Sequence, residues 1–150
     1  MRIYFDVCCL HRPFDDQIQE RIRLESEAVQ LVLQLCGAGT HHWISSDVVE
    51  NEVERNPNGY TRTAVQAMLR CADERLTLTD AAVSRARTHA QMGIPAVDAL
   101  HLAVAEEFAC DVFLTTDDQL CRRVRARQPA LLIKVDNPVA WLLEVTRDET

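Results

Sequence analysis

The chain has 150 residues, with 16 basic and 23 acidic side chains and a formal net charge of −7. Its 47% hydrophobic and 26% charged content is that of an ordinary globular protein able to bury a sizeable core. Collagen-like, low-complexity and disordered classes are excluded, no apolar run approaches the roughly 20 residues of a membrane helix, and the acidic balance argues against coating nucleic acid through bulk Lys/Arg–phosphate contacts.

The cations are unevenly chosen. Lys134 is the only lysine and the rest are arginine, whose planar fork suits phosphate and carboxylate. The six cysteines form no C-x-x-C pair, and no histidine lies at zinc-finger spacing from a cysteine pair, so they read as small buried hydrophobes. The start, Met1 to Asp6, reads as a strand ending in a carboxylate and not as a signal peptide, and the expected compartment is the cytoplasm.

In chain order, Ile3 to Val7 reads as a short buried strand, and Arg12-Pro13 breaks the chain. Ile18 to Leu35 carries apolar residues at helical period, with Gly37 as its C-cap. His42 to Ser45 is a second strand, and Ser46 caps a short acidic helix from Asp47 to Arg55. Asn56-Pro57-Asn58-Gly59 is a turn.

Tyr60 to Ala72 is again helical, and Leu76-Thr77-Leu78 is a third strand. Thr79 caps a helix that Gly93 stops, and Ala96 to Ala109 forms the next. Val112 to Leu114 is a fourth strand, Asp118 to Arg127 an arginine-rich helix, and Leu131 to Val135 a fifth strand. Asn137-Pro138 opens a last helix. Strands alternating with helices predict a doubly wound α/β domain, a parallel sheet covered on both faces, over residues 1–150.

In such sheets the binding crevice lies at the carboxyl ends of the strands, at a topological switch point. The first strand ends at Asp6 and the fourth runs into Thr115-Thr116-Asp117-Asp118. If these strands are neighbours, Asp6 and Asp117 face one another. Asp98 sits in the first turn of its helix, but strand and helix order alone does not bring it to that edge. Glu50, Glu52 and Glu54 line the helix after the second strand and are candidates for a further acid.

Converging carboxylates repel unless cations neutralise them, and oxygen donors suit Mg²⁺ or Mn²⁺. Two such ions about 3.5–4 Å apart can activate a water and stabilise a leaving oxygen in phosphodiester cleavage. The competing reading is structural: strand-end acids are common helix caps, Asp47 and Asp136 read as caps or loop residues, and Asp118 can cap the arginine-rich helix.

At these residues the chain resembles PIN-domain proteins of the VapC-like ribonuclease family, over essentially its whole length. The resemblance rests on the strand ending in Asp6, the acidic helix, Asp98 within Val97-Asp98-Ala99-Leu100-His101-Leu102-Ala103, and Thr115-Thr116-Asp117-Asp118-Gln119-Leu120 after a Val-Phe-Leu strand. It implies a three-layer α/β/α fold with a parallel, roughly five-stranded sheet. It also implies Mg²⁺- or Mn²⁺-dependent endoribonuclease action, as in the toxins of toxin–antitoxin pairs. Carried over residue by residue, Asp6, Asp98 and Asp117 are metal ligands, and Thr115 is a hydroxyl that helps organise the site. Glu52 is the second acid, with Glu50 as the register alternative. Cys8 departs from the family's usual Asn, Ser or Thr two residues after the first Asp.

The resemblance further implies an RNA substrate, a small antitoxin partner and a homodimer. The run Arg122 to Arg127 is either a phosphate guide or a solvated helix face, Arg12 is another candidate phosphate contact, and His101 reads as a packing residue. The alternatives are a non-catalytic PIN scaffold that binds RNA or protein, and a receiver-like phosphoacceptor domain. The latter would want paired acids after the first strand, where this chain has Asp6 alone.

Overall fold

The computed structural model describes residues 1–148. Five parallel strands form one sheet in the order β3-β2-β1-β4-β5. They are β1 (Arg2–Phe5), β2 (His42–Ser46), β3 (Glu74–Leu76), β4 (Val112–Leu114) and β5 (Lys134–Asp136). The helices are α1 (Val7–His11), α2 (Glu20–Gly37), α3 (Asp47–Glu54), α4 (Gly59–Leu69), α5 (Asp80–Gln91), α6 (Ala96–Glu107), α7 (Asp118–Arg127) and α8 (Pro138–Asp148). This is the expected α/β class with a parallel five-stranded sheet.

Chain order reverses at β1, which pairs with β2 on one side and β4 on the other. The gap between β1 and β4 is therefore the switch point where α/β sheets form their crevices. Register places Phe5 beside Leu114, and the Asp6 N–H donates to the Leu114 carbonyl at 2.8 Å. The residues after both strands are thus fixed side by side.

Successive β1 side chains point to opposite faces. Tyr4 stacks on Phe113 and meets the His101 ring of α6 edge-on, while Phe5 meets Trp43 edge-on. On the Phe5 side, Trp43 lines a pocket with Leu33 and Cys36 of α2 and Met68 of α4, and α2 packs on α8. The core is apolar and closed: Ile3, Tyr4, Leu10, Val29, Leu102 and Phe113 have no exposed surface. No helix among the described residues is long and apolar enough to cross a membrane.

Caps follow the sequence where polar side chains demand them. Ser46 accepts the Val49 N–H, Thr79 accepts the Ala82 N–H, and Asn137 accepts the Val139 N–H. Boundaries differ at several places for identifiable reasons. β1 stops at Phe5 because Asp6 already N-caps α1, a short helix the sequence reading missed, whose Val7, Cys9 and Leu10 are buried. Helix α2 continues through Gly37, and the left-handed residue after it is Gly39, at φ +83°.

Helix α4 ends at Leu69, short of the expected Ala72, and β3 lies two residues before the expected Leu76–Leu78. β5 begins at Lys134, because Leu131 and Ile133 are buried from the preceding loop without joining the ladder.

Candidate active site

Asp6 stands at the end of β1 with 6% of its surface exposed. The Thr115 hydroxyl, fully buried at the end of β4, donates to Asp6 Oδ2 at 2.7 Å and accepts the Asp117 N–H at 3.1 Å. One hydroxyl therefore connects the two strand-end acids. Asp117 also N-caps α7, accepting the Gln119 and Leu120 N–H groups at 3.0 and 3.1 Å. Both bonds use Oδ1, so the cap occupies one of its two oxygens. Asp118, read as the alternative cap, instead pairs with Arg21.

The second acid is a matter of helix register. Glu50 pairs at 2.7 Å with Arg75, which also holds Asp47. Glu52 lies on another face of α3 and meets His101: Glu52 Oε1 is 3.3 Å from His101 Nε2. One ligand atom each from Asp6, Glu52 and His101 lie within 4.8 Å of one another. Glu52, and not Glu50, is the α3 acid brought to Asp6.

Asp98 reaches this edge because α6 feeds β4 from below. Arg2, at the start of β1, donates to the Phe108 carbonyl at 3.1 Å, so the end of α6 lies at the entry edge of the sheet. Its first turn then lies at the opposite edge. Burial raises the Asp98 carboxyl above the usual range, and the charges of Asp117 and Glu52 push the same way, while His101 and Arg123 oppose them. Burial pushes Asp6 well above its ordinary value, with Cys8 adding to the shift and His101 and Thr115 opposing it.

These shifts identify carboxylates gathered where charge is expensive, a condition that a bound cation relieves. The carboxylates of Asp6 and Glu52 fit a hard divalent ion, with Asp98 and Asp117 close enough to act on one another electrostatically and His101 engaged with Glu52 beside them.

Cys8 forms one wall of the site. Its Sγ lies 3.4 Å from Asp6 Oδ2 and 3.5 Å from Thr115 Oγ. The arginines divide by role. Arg12 is committed to Glu25 and Asp15, Arg125 to Asp136, and Arg127 to the Met92 carbonyl. Arg123, half-buried on α7, acts on Asp98 through its charge.

His101 is the residue whose place the sequence reading missed. It is buried, as a packing residue would be, but both ring nitrogens are engaged, with Tyr4 and with Glu52. The available signal was its spacing: three residues after Asp98 on a helix puts both on one face.

A parallel sheet with acids from β1, α3, α6 and the β4–α7 turn converging at its switch point defines an α/β domain of PIN type. The PIN-domain family profile matches residues 3–126, and the chain belongs to the PIN-domain family. No curated protein matches the sequence.

Solved structures share the fold. The FitAcB structure from Neisseria gonorrhoeae is similar at 18% identity, with 91% of this chain and 97% of that chain covered and a TM-score of 0.57. VapBC2 from Rickettsia felis, bound to a DNA fragment from its promoter, has 14% identity, coverage of 90% and 98%, and a TM-score of 0.59. VapBC-1 from nontypeable Haemophilus influenzae has 11% identity, coverage of 92% and 98%, and a TM-score of 0.61.

Proposed function

We propose that this protein is a Mg²⁺- or Mn²⁺-dependent endoribonuclease, the toxin of a toxin–antitoxin pair, acting in the cytoplasm on RNA. The observation that carries the reading is the convergence of Asp6 and Glu52 with Asp98 and Asp117 in electrostatic reach at the switch-point edge. A small antitoxin is its expected partner and a homodimer its expected assembly. VapBC and FitAcB structures of the same fold support the toxin assignment.

Asp6, Glu52, Asp98 and Asp117 would hold the metal. When bound, it supplies Lewis-acid activation of water and charge stabilisation at the phosphodiester. The protein's own part is placement. Thr115 fixes Asp6 and the Asp117 backbone in one geometry. Arg123, beside Asp98, offers a cation to an incoming phosphate. The reaction is hydrolysis: water adds to phosphorus, the bond to the leaving oxygen breaks, and no protein nucleophile is consumed.

The test is cleavage of a mixed structured RNA pool with Mg²⁺ or Mn²⁺, comparing wild type with Asp98→Asn. The substitution keeps shape and removes one ligand charge. Metal-dependent cutting by wild type and none by the variant is expected. Equal cutting by both would place the activity elsewhere, and failure of the wild type to bind Mn²⁺ would leave a non-catalytic binding scaffold.

A further inference from the structure

We infer that His101 is a positioning residue that holds Glu52 on the metal site through a directed, buried hydrogen-bond relay from Ser46 and Tyr4. The inference rests on the metal-dependent reading above. Its parts come from four elements, β1, β2, α3 and α6. Tyr4 lies two residues before Asp6 on β1, and its hydroxyl is 2.6 Å from Ser46 Oγ and 2.7 Å from His101 Nδ1. Ser46 also caps α3, the helix that carries Glu52, by accepting the Val49 N–H at 3.2 Å. His101 Nε2 then meets Glu52 at 3.3 Å. Ser46, Tyr4 and His101 are all buried.

The direction of this chain follows from what each group can do. An ionised carboxylate only accepts, so the nitrogen facing Glu52 carries the proton. The other ring nitrogen, Nδ1, is held by the Tyr4 hydroxyl, which Ser46 holds in turn. The relay thus fixes the ring and aims one N–H at one carboxylate oxygen. Side-chain hydrogen bonds of this kind orient metal ligands.

Glu52 is the acid that needs such help. Asp6 is tethered by Thr115 at a strand end, and Asp117 by its cap. Glu52 projects from a short helix with about a third of its side chain exposed. Without the His101 N–H its carboxylate would sample other rotamers and meet Asp6 less often.

Two measurements on the intact protein test this. Calorimetric Mn²⁺ titration compares wild type with Tyr4→Phe, His101→Ala and His101→Gln, each checked for folding by thermal unfolding. Losses of about 10- to 100-fold in affinity are expected for His101→Ala, nearer tenfold for Tyr4→Phe. His101→Gln places an amide N–H near Nε2 and is expected to recover most of the affinity. Nitrogen-15 NMR of the histidine ring is expected to show a protonated Nε2 that persists when Mg²⁺ is added.

Folded Tyr4→Phe and His101→Gln with affinities equal to wild type, together with an equally unaffected His101→Ala, would overturn the inference alone. Loss of the Nε2 proton on Mg²⁺ addition would also overturn it, by making His101 a ligand. Wild type that binds no Mn²⁺ would overturn the metal reading and this inference with it.

Discussion

The Thr115 hydroxyl donates to Asp6 Oδ2 at 2.7 Å while it accepts the Asp117 backbone N–H at 3.1 Å. A group that is both donor and acceptor is required at that point, because its two neighbours are a carboxylate and an N–H. Valine has the same shape and neither capacity. Thr115→Val is therefore expected to leave the fold intact at a cost of about 1–3 kcal/mol, since it orphans a buried N–H. It should weaken Mn²⁺ binding about tenfold or more. Thr115→Ser should restore most of both. Calorimetry and thermal unfolding on the pair would check this, and a fully active Thr115→Val would remove Thr115 from the site.

Asp6 should trade stability for function. Burial holds its carboxyl well above the ordinary value, so the folded state binds a proton that the unfolded state has already released. A group with a raised folded pKa contributes stability that is full below its unfolded value, near 3.9, and is lost as pH rises through the folded value. As pH rises above the unfolded value, Asp6 therefore increasingly opposes folding. Asp6→Asn is expected to have a higher Tm than wild type in chelator at pH 8, with the difference shrinking as pH falls toward 4. Mn²⁺ should reverse the ranking, because free ion at 100 times Kd stabilises a binding protein by about 2.7 kcal/mol. A variant less stable than wild type at pH 8 without metal would show that the buried charge is already compensated.

The sheet and its acids were legible in the sequence to different depths. Apolar runs flanked by polar stops gave β1, β2 and β4, because the central strands are buried on both faces. The edge strands β3 and β5 are short, and burial near them misled. Leu131 and Ile133 are buried without pairing, so hydrophobicity pulled the expected β5 toward its loop.

The place of Asp98 was not readable without strand order. Two helices, not one, separate β3 from β4, and only the parallel pairing of β4 with β1 shows that α6 descends from the carboxyl edge. The choice between Glu50 and Glu52 turned on Arg75, a residue on β3 that is distant in sequence. His101 was visible as a polar residue on an apolar helix, but its partner Tyr4, and Ser46 behind Tyr4, come from two strands.

Glu25 supports the site from the other side. Its carboxylate is almost fully buried and takes hydrogen bonds from Arg12 at 2.9 Å, Arg21 at 3.3 Å and Asn137 at 2.6 Å. Arg21 also grips Asp118 with both Nη atoms at 2.7 Å and donates to the carbonyl of Thr116, the residue between Thr115 and Asp117. The two partners should respond differently to truncation. Glu25→Ala leaves cations and an amide without their buried acceptor, and about 3 kcal/mol of destabilisation is expected. Arg21 and Asp118 are half-exposed, so Arg21→Ala should cost no more than about 1 kcal/mol. Glu25 would keep Arg12 and Asn137 in that variant.

Urea unfolding midpoints of the two variants would check the ranking. Because Arg21 holds the backbone between two site residues, Arg21→Ala should also slow RNA cleavage by more than its small stability loss explains. Cleavage that falls only in proportion to the folded fraction would reduce Arg21 to a surface ion pair.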